Sequence, residues 1–497
     1  MADVLVVGAG PVGLTMAAEL ARYGVGVRII DKASHPTETS KALVLWSRTL
    51  ELIDRMGCTP HFLEAGFRAH GASIRSGGSL LGQTRLDDVA SHYNYALMIP
   101  QRDTERLMGA HLATLGVEVE RELELVGFSE EASAVEAHVR HADGSDETVK
   151  VSWLIGCDGA HSAVRHGAGI AFSGQPQGDD WVLGDVRLDG PGSPPTDEIA
   201  VYLHRDGVLT IFPIPGGRAR VVATVGKSDP RHPRPDPTLE DIQRLCDQRA
   251  GGGFRAFDPV WLSNFLVNER KVTHYSQGRI FLAGDAAHIH SPAGGQGMNT
   301  GMQDAINLSW KLAMVMKGAA SPALLDSYSP ERNAVGEMVL RNATRLTEMA
   351  TLHNPAAQAI RNAVLRFVFG FHGVRDKLAV TMTEIEIAYE NSPLSTKTRH
   401  AGNEFAAGSR LDPAVYDGPA PGTGDTPRFV LFAADREKGA ALTERYPDLL
   451  EATVRIPPDP KLILIVRPDC YIGLSAGEAD WKEAGAYLAE LVSSPLR

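Results

Sequence analysis

The sequence predicts a chain of mixed α/β and α+β class. It reads as a Rossmann-like unit, an antiparallel sheet inserted into it, and a small α/β unit at the C-terminus. Three observations carry this. Short apolar strands run into glycine–acid stations at three separate places: Gly8 with Asp31, Asp158-Gly159, and Gly284-Asp285. Between the second and third stations, residues 181–225 change to an apolar/polar alternation broken by turn signals, the period of a half-buried antiparallel sheet. After residue 395, a stretch rich in Gly, Pro and Asp precedes a last group of strands and helices.

With 497 residues the chain is long enough for several domains and a sizeable core. A formal net charge of −12 speaks against nucleic acid and against an anionic membrane surface as partner. The four cysteines, Cys58, Cys157, Cys246 and Cys470, form no CxxC, which fits a reducing compartment and excludes a Cys-rich zinc module. No signal-peptide pattern and no apolar run of transmembrane length is visible, so a cytoplasmic protein is expected.

Residues 2–7 read as a strand, followed at once by Gly8-Ala9-Gly10-Pro11-Val12-Gly13, a helix over 14–23, and a second strand closed by Asp31. This is GxGxxG in its required context: glycines for a tight turn and close approach of a pyrophosphate, then an acid for a ribose hydroxyl. The unit alone does not separate NAD from FAD. Residues 40–56 read as a turn and helix, 67–86 as glycine-broken strand, and 95–108 as Ile99-Pro100-Gln101 running into a helix. Residues 117–126 and 134–139 read as strands, with Asp143-Gly144 as a hairpin turn. An apolar strand then runs into Asp158-Gly159, with Ser162 as the N-cap of a short helix. The meander over 181–225 is followed by a polar loop at 229–237, a helix at 239–245 and a strand at 265–274. The third station opens residues 284–301, a glycine-rich stretch before a long helix expected from Met302. Helices continue to residue 390, with an apolar segment at 365–369 that reads as a packing or dimer face. Strands at 428–433 and 461–467 and helices at 440–445 and 479–491 form the last unit.

With its three stations in this order, the chain resembles the FAD-dependent aromatic hydroxylases, the class A flavoprotein monooxygenases, over its whole length. The branch it is most similar to carries a C-terminal thioredoxin-like domain and includes phenol hydroxylase and the polyketide hydroxylases. The resemblance implies a para-hydroxybenzoate hydroxylase type FAD-binding domain over 1–70, 100–178 and 270–395. It implies a middle substrate-binding domain over 71–99 and 179–269 and a thioredoxin-like domain over 400–497. It also implies FAD as cofactor, NAD(P)H as a transient cosubstrate, and O2 with a small aromatic molecule as substrates. The reaction implied is hydroxylation through a flavin C4a-hydroperoxide.

Carried over by position, Gly8, Gly10 and Gly13, with Pro11 and Val12 between them, would hold the pyrophosphate. Asp31, beside Lys32, would bind the adenosine ribose. Gln101 would contact the ribityl region. The Asp158-Gly159 pair would serve both FAD and the passing nicotinamide cofactor, and the Gly284-Asp285 pair would bind the ribityl chain. Pro292, Gly294, Gly295, Gly297, Met298 and Asn299 would line the ring. Lys41 stands where the family usually has Arg; it keeps the charge and loses the planar fork. A helix beginning beyond this loop would present free N–H groups, worth about half a charge, to the anionic edge of reduced flavin.

The residues leave the base that activates a phenol open among Tyr202, His204, His274 and His290. Trp46 reads equally as pocket lining or packing. The pair His288 and His290 has no companions, so no metal is expected. Without CxxC the last unit is expected to be structural or a dimer contact. Two other readings stay open. One keeps the fold for a halogenase, epoxidase or antibiotic-modifying monooxygenase, although the WxWxIP motif of halogenases is absent. The other is a non-catalytic FAD-binding protein.

Overall fold

The computed structural model describes residues 2–38, 42–229, 232, 234–292, 294–352, 354–398 and 405–493. The first unit is a six-stranded sheet in the order Ser276–Gln277, Ile280–Leu282, Trp153–Gly156, Val4–Val7, Val27–Asp31, Val119–Arg121. Its pairings are parallel except at the Ser276–Gln277 edge. The register sets Val7 beside both Gly156 and Ile30, and Gly156 beside Leu282. Four strand ends that the sequence scatters therefore share one edge. Val4, Leu5, Val6, Leu154 and Ile155 are fully buried, as expected of parallel strands covered on both faces.

Helix Pro11–Arg22 starts with proline in its first turn, where the missing N–H costs nothing. It packs against helix Gly297–Met316. That helix begins at Gly297 rather than Met302 and is buried from Asn299 to Met314. Thr300, Gln303, Asp304, Asn307 and Lys311 lie on it without exposure to water, so each must find a partner inside.

The middle sheet has eight strands: His288–Ile289, Arg255–Val272, Phe172–Asp189, Arg218–Lys227, Gly207–Ile214, Glu198–His204, Gly71–Ser76, Ser79–Arg85. The expected meander is there, antiparallel throughout. The strands read at 67–86 join it, with Gly71–Ser76 parallel to Glu198–His204. One face is covered by helix Leu239–Arg249, opened by a Thr238/Asp241 capping box. The other faces the helices that follow the third station, and Leu365, Met349 and Phe369 pack on it. The helical stretch is broken at Gly370, as its glycines imply, into Pro355–Val368 and His372–Met382, and it ends at Met382 rather than at the expected residue 390. Ile360, Val364, Phe367 and Phe371 stay exposed on it.

The last unit is a four-stranded sheet, Thr396–Lys397, Ile472–Gly477, Leu462–Val466, Val430–Phe432, with helices Arg436–Arg445 and Trp481–Ser493. Two of these strands were not expected. Thr396–Lys397 falls in the stretch read as linker, and Ile472–Gly477 follows a tight turn at Cys470, where φ is 63°. Residues 429 and 432 form parallel bridges to 450 and 455. Trp310 of the long buried helix meets Phe429 edge-on at 5.5 Å, so this unit shares core with the first. Among the described residues no helix is long and apolar enough to cross a membrane.

Candidate functional site

The three stations meet at the carboxyl edge of the six-stranded sheet, where open α/β sheets bind ligands. Each glycine of the first has a different reason to be there. A Cβ on Gly13 would fall 1.8 Å from the Gly8 carbonyl oxygen, so this glycine lets the helix touch the strand. Gly8, with φ of 98°, lies against the second station: its Cβ would sit 2.4 Å from Cys157 O and 2.8 Å from the Asp158 Cα. A Cβ on Gly10 would meet nothing within 4 Å. Gly10 is the N-cap of helix Pro11–Arg22 and no side chain caps it. Open space beside a bare, uncapped helix N-terminus is what a pyrophosphate requires.

Asp31 holds this turn, accepting from the Ala9 N–H at 2.7 Å and the Ala33 N–H at 2.8 Å. Arg121 from the neighbouring strand stands 3.8 Å from it, a residue that sequence reasoning missed. Lys32 is exposed, and Lys41 lies outside the described residues. Gln101 opens helix Gln101–Thr114, and its Nε2 donates to Glu105 one turn on, at 2.8 Å. Burial raises the Glu105 carboxyl above its usual range.

At the second station the Asp158 Oδ2 accepts from the Val164 N–H at 3.2 Å, whereas Oδ1 is buried with no hydrogen-bond partner. Burial raises this carboxyl, against hydrogen bonds from Ser162 and the Val164 amide. A buried carboxylate oxygen without a donor fits a ligand hydroxyl. Ser162 caps its helix as expected, accepting from the Arg165 N–H at 2.9 Å. Arg165 joins the second station to the third, donating to Ala160 O and to Ala286 O at 2.8 and 3.0 Å. Its signal lay within the same run as Asp158.

At the third station Gly284, with φ of 61°, leaves room for Val12, which a Cβ would approach to 2.7 Å. Asp285 is exposed on the short turn Gly284–Ala286. Replacing Asp285 with Ala is expected to weaken FAD binding about tenfold, the worth of one charged hydrogen bond, with folding stability changed by less than about 0.5 kcal/mol. A FAD titration beside a urea melt checks both, and unchanged affinity counts against the ribityl role.

The loop beyond is clasped from below. The Trp46 Nε1 donates to Gly294 O at 3.1 Å, and Asn299 receives the Trp46 N–H at 2.8 Å. The Asn299 Nδ2 donates to Val44 O and Gly295 O at 2.8 and 3.0 Å. The Asn299 side chain is therefore committed to the protein, and only its backbone N–H is left for the ring. Gly294 and Gly295 take φ of 89° and 63°. Pro292 is exposed, and Gly297 and Met298 are half-buried at the start of a helix with no side-chain cap. The His290 Nδ1 donates to Ser291 O at 2.8 Å, while its Nε2 is buried without a partner, 3.5 Å from where a Gly297 Cβ would lie. Burial, then His288, lowers His290 to about 4.

Beneath this loop Asp304 accepts from the Gly284 N–H at 2.9 Å, from His288 at 2.8 Å and from the Arg332 Nε at 2.5 Å. Burial alone would raise the Asp304 carboxyl; Arg332 and His288 overcome it and hold the group below the usual range. His288 is thus a partner of Asp304 through its Nε2.

The other candidate bases separate. Tyr202 packs toward helix Leu239–Arg249, on the far face of the middle sheet. His204 sits at the hairpin tip and accepts from the Asp206 N–H. His274 is exposed. Only His290 lies in the glycine loop. The near face of the sheet carries Trp181 stacked on Phe265 at 6.3 Å, with Phe212 and Phe369 in the same cluster. Asp179, Lys227, Arg341, Arg345 and Thr347 are among the residues that line a groove of about 650 Å³. Thr347 bonds Ser291 at 2.9 Å, next to Pro292.

The model of a family described as FAD binding domain matches residues 1–343. Rifampicin monooxygenase of Streptomyces venezuelae is 36% identical over 78% of this chain and 80% of its own length. The 6-methylpretetramide 4-monooxygenase of Streptomyces rimosus is 37% identical over 80% of this chain and 71% of its own. Among solved structures, an anhydrotetracycline hydroxylase from Streptomyces rimosus superposes with a TM-score of 0.80 at 28% identity, covering 99% of both chains.

Proposed function

Because the chain belongs to the FAD-binding family of class A flavoprotein aromatic hydroxylases, we propose that it hydroxylates a phenolic or polyketide-like ring with O2 and NAD(P)H. The observation that carries this is the meeting of three stations on one sheet edge, with an aromatic cluster on the middle sheet linked to it through Phe212, which also packs against the cluster of Trp46. Bound FAD, once reduced, supplies the activation of O2 that puts one oxygen atom on the substrate ring.

The chain's own residues supply the rest. The first turn of helix Pro11–Arg22 binds the pyrophosphate, with Asp31 and Arg121 on the adenosine side. Asp285 holds the ribityl chain, and Asp158, with a buried oxygen left for a ligand hydroxyl, serves FAD and the visiting nicotinamide cofactor. The N–H groups of Gly297, Met298 and Asn299 favour negative charge at the pyrimidine edge. Trp181, Phe212, Phe265 and Phe369 offer flat apolar contact and keep water from the reacting ring. The His290 Nε2 is placed to accept a hydrogen bond from a substrate hydroxyl. With its pKa lowered to about 4, it orients a phenol of pKa about 10 rather than deprotonating it.

The domain division at 71–99, 179–269 and 400–497 belongs to the same proposal. A thioredoxin-like reading of the last unit is supported by its order of strand, helix, parallel bridge, two antiparallel strands and helix. A second reading, modification of an antibiotic, is favoured by the similarity to rifampicin monooxygenase.

The test is reconstitution with FAD and a screen of phenols, polycyclic aromatics and rifamycins for stimulation of NAD(P)H oxidation. A product one oxygen heavier with its ring intact supports hydroxylation. Ring opening moves the assignment to the second reading. A protein that takes up no FAD sinks the proposal. FAD uptake with no response to any aromatic compound favours the non-catalytic reading.

A further inference from the structure

The last turn of helix His372–Met382 and the residues after it close over the start of the ring-end helix. The Gln296 Nε2 donates to Thr381 O at 3.0 Å, and the Arg48 N–H donates to Thr383 O at 3.1 Å. The next residue, Glu384, turns inward and is 1% exposed. Its Oε1 lies 3.1 Å from the Thr300 Oγ1, and its Oε2 accepts from the Gln303 Nε2 at 2.5 Å. To reach them the backbone takes φ of 61°, a region that residues with side chains rarely adopt and that persists only where the surroundings impose it.

We propose that Glu384 is a positioning residue for the flavin end of the site. Its carboxyl clasps Thr300 and Gln303, and so fixes the first two turns of helix Gly297–Met316, whose uncapped N–H groups meet the ring. The proposal rests on the FAD reading above.

Proton accounting supports it. The Thr300 hydroxyl has one proton and two neighbours, Glu384 Oε1 at 3.1 Å and Gln296 O at 3.0 Å. If Glu384 carries a proton, it donates to Thr300, Thr300 donates to Gln296 O, and both hydroxyl protons have an acceptor. If Glu384 is charged, one proton must serve two acceptors. The charged groups around it are Arg332 and Asp304 on the two helices packed beneath, Arg48 on helix Ser47–Asp54, and Glu386 two residues on. Burial outweighs Arg332 and pushes Glu384 up to about 8, so the clasp is neutral at pH 7. Above that pH it acquires a negative charge beside the helix end that would face an anionic ring.

The experiment is FAD titration of the apo protein by fluorescence quenching from pH 6 to 9, for wild type, Glu384→Gln, Glu384→Ala and Thr300→Val. Glu384→Ala is expected to weaken FAD roughly tenfold, and Glu384→Gln to restore it to within about twofold at pH 7. For reduced FAD, titrated in the same way without oxygen, wild-type affinity is expected to fall as pH rises through 8, and that of Glu384→Gln to stay flat. Thermal unfolding of the apo protein gives a readout independent of flavin. Folding raises this pKa from 4.5 to about 8, so wild type takes up a proton on folding and loses stability as pH climbs between them. Glu384→Gln does not, and its melting temperature should exceed that of wild type by a margin that widens toward pH 8. Wild-type FAD affinity in Glu384→Ala, or one pH profile shared by wild type and Glu384→Gln, overturns the proposal. If Glu384→Ala does not fold, Thr300→Val decides, with weaker FAD binding expected and unchanged binding overturning it. The expected FAD behaviour in every variant, with no aromatic turnover by wild type, would sink the hydroxylase assignment and not this one.

Discussion

Gly13→Ala is expected to prevent folding of the first unit, whereas Gly10→Ala should fold like wild type and lose FAD. The two glycines are three residues apart in one motif, and their surroundings are opposite. A methyl group on Gly13 would overlap the Gly8 carbonyl at 1.8 Å. Neither side can yield. Gly8 donates its N–H to Ile30 O at 2.8 Å and is pressed against Cys157. Helix Pro11–Arg22 is held by the buried Leu14, Met16, Ala17, Ala18 and Leu20. Overpacking commonly costs about 1–3 kcal/mol where side chains give way, and more is expected where both partners are backbone. At Gly10 the added methyl meets nothing, and φ of −75° suits alanine. Loss of backbone freedom in the unfolded chain should stabilise the apo protein by about 0.4–1 kcal/mol. The same methyl fills the space over the helix N-terminus and should weaken FAD about 100-fold, or 2.7 kcal/mol. Urea melts of both apo variants, with FAD titration of Gly10→Ala, check the pair. Undiminished FAD affinity in Gly10→Ala would place the pyrophosphate elsewhere.

This contrast also marks how far the sequence could be read. The stations and their order were legible because each is a local pattern of strand, glycine and acid. Their meeting followed from the rule that parallel strands present their carboxyl ends together. The start of the ring-end helix was misplaced for a physical reason. Gly297, Asn299, Thr300 and Gly301 are poor helix formers, and the apolar period begins at Met302; burial against Val12 and Trp46 overrides propensity there. Strand Ile472–Gly477 was hidden by its two glycines and by the tight turn before it. The roles of the carboxylates Asp304, Glu331 and Glu384 were hardly legible. Their partners lie far along the chain, as Arg332 does for Asp304 and Arg467 for Glu331, and no local pattern marks them. The one available hint was Asp304, an acid set among Met302, Ala305, Ile306 and Leu308 on an apolar helix.

Glu331→Ala should be among the most destabilising single substitutions in the chain, by about 3–5 kcal/mol, because it leaves Lys311 without its counter-charge and Arg467 with Asp469 alone, one buried positive charge uncompensated. Glu331 accepts from Lys311 at 2.8 Å, from Arg467 at 2.7 and 3.0 Å, from Asn307 at 2.7 Å and from Ser392 at 2.5 Å. The Glu331, Lys311 and Arg467 side chains are 0% exposed. Arg467 in turn bonds Asp469 at 2.6 and 2.9 Å, so two cations and two anions balance. The cluster joins the long buried helix, helix Tyr328–Ala350 and the last sheet, and so holds the C-terminal unit against the flavin-binding unit. Burial alone would raise the Glu331 carboxyl; Arg467 and Lys311 overcome it and hold it well below the usual carboxylate range. A carboxyl depressed on folding contributes stability that is present above its unfolded pKa of 4.5 and is lost as pH falls below it. Wild type should therefore weaken steeply under acid, and Glu331→Ala, already weakened, should do so less. Urea melts at pH 7 and pH 4 measure both effects. The double variant Glu331→Ala with Arg467→Met should recover part of the loss, since removing both charges leaves less uncompensated than removing one. A Glu331→Ala protein within about 1 kcal/mol of wild type at pH 7 would mean that water reaches the cluster and that the C-terminal unit is held by its apolar contacts, Trp310 against Phe429 foremost.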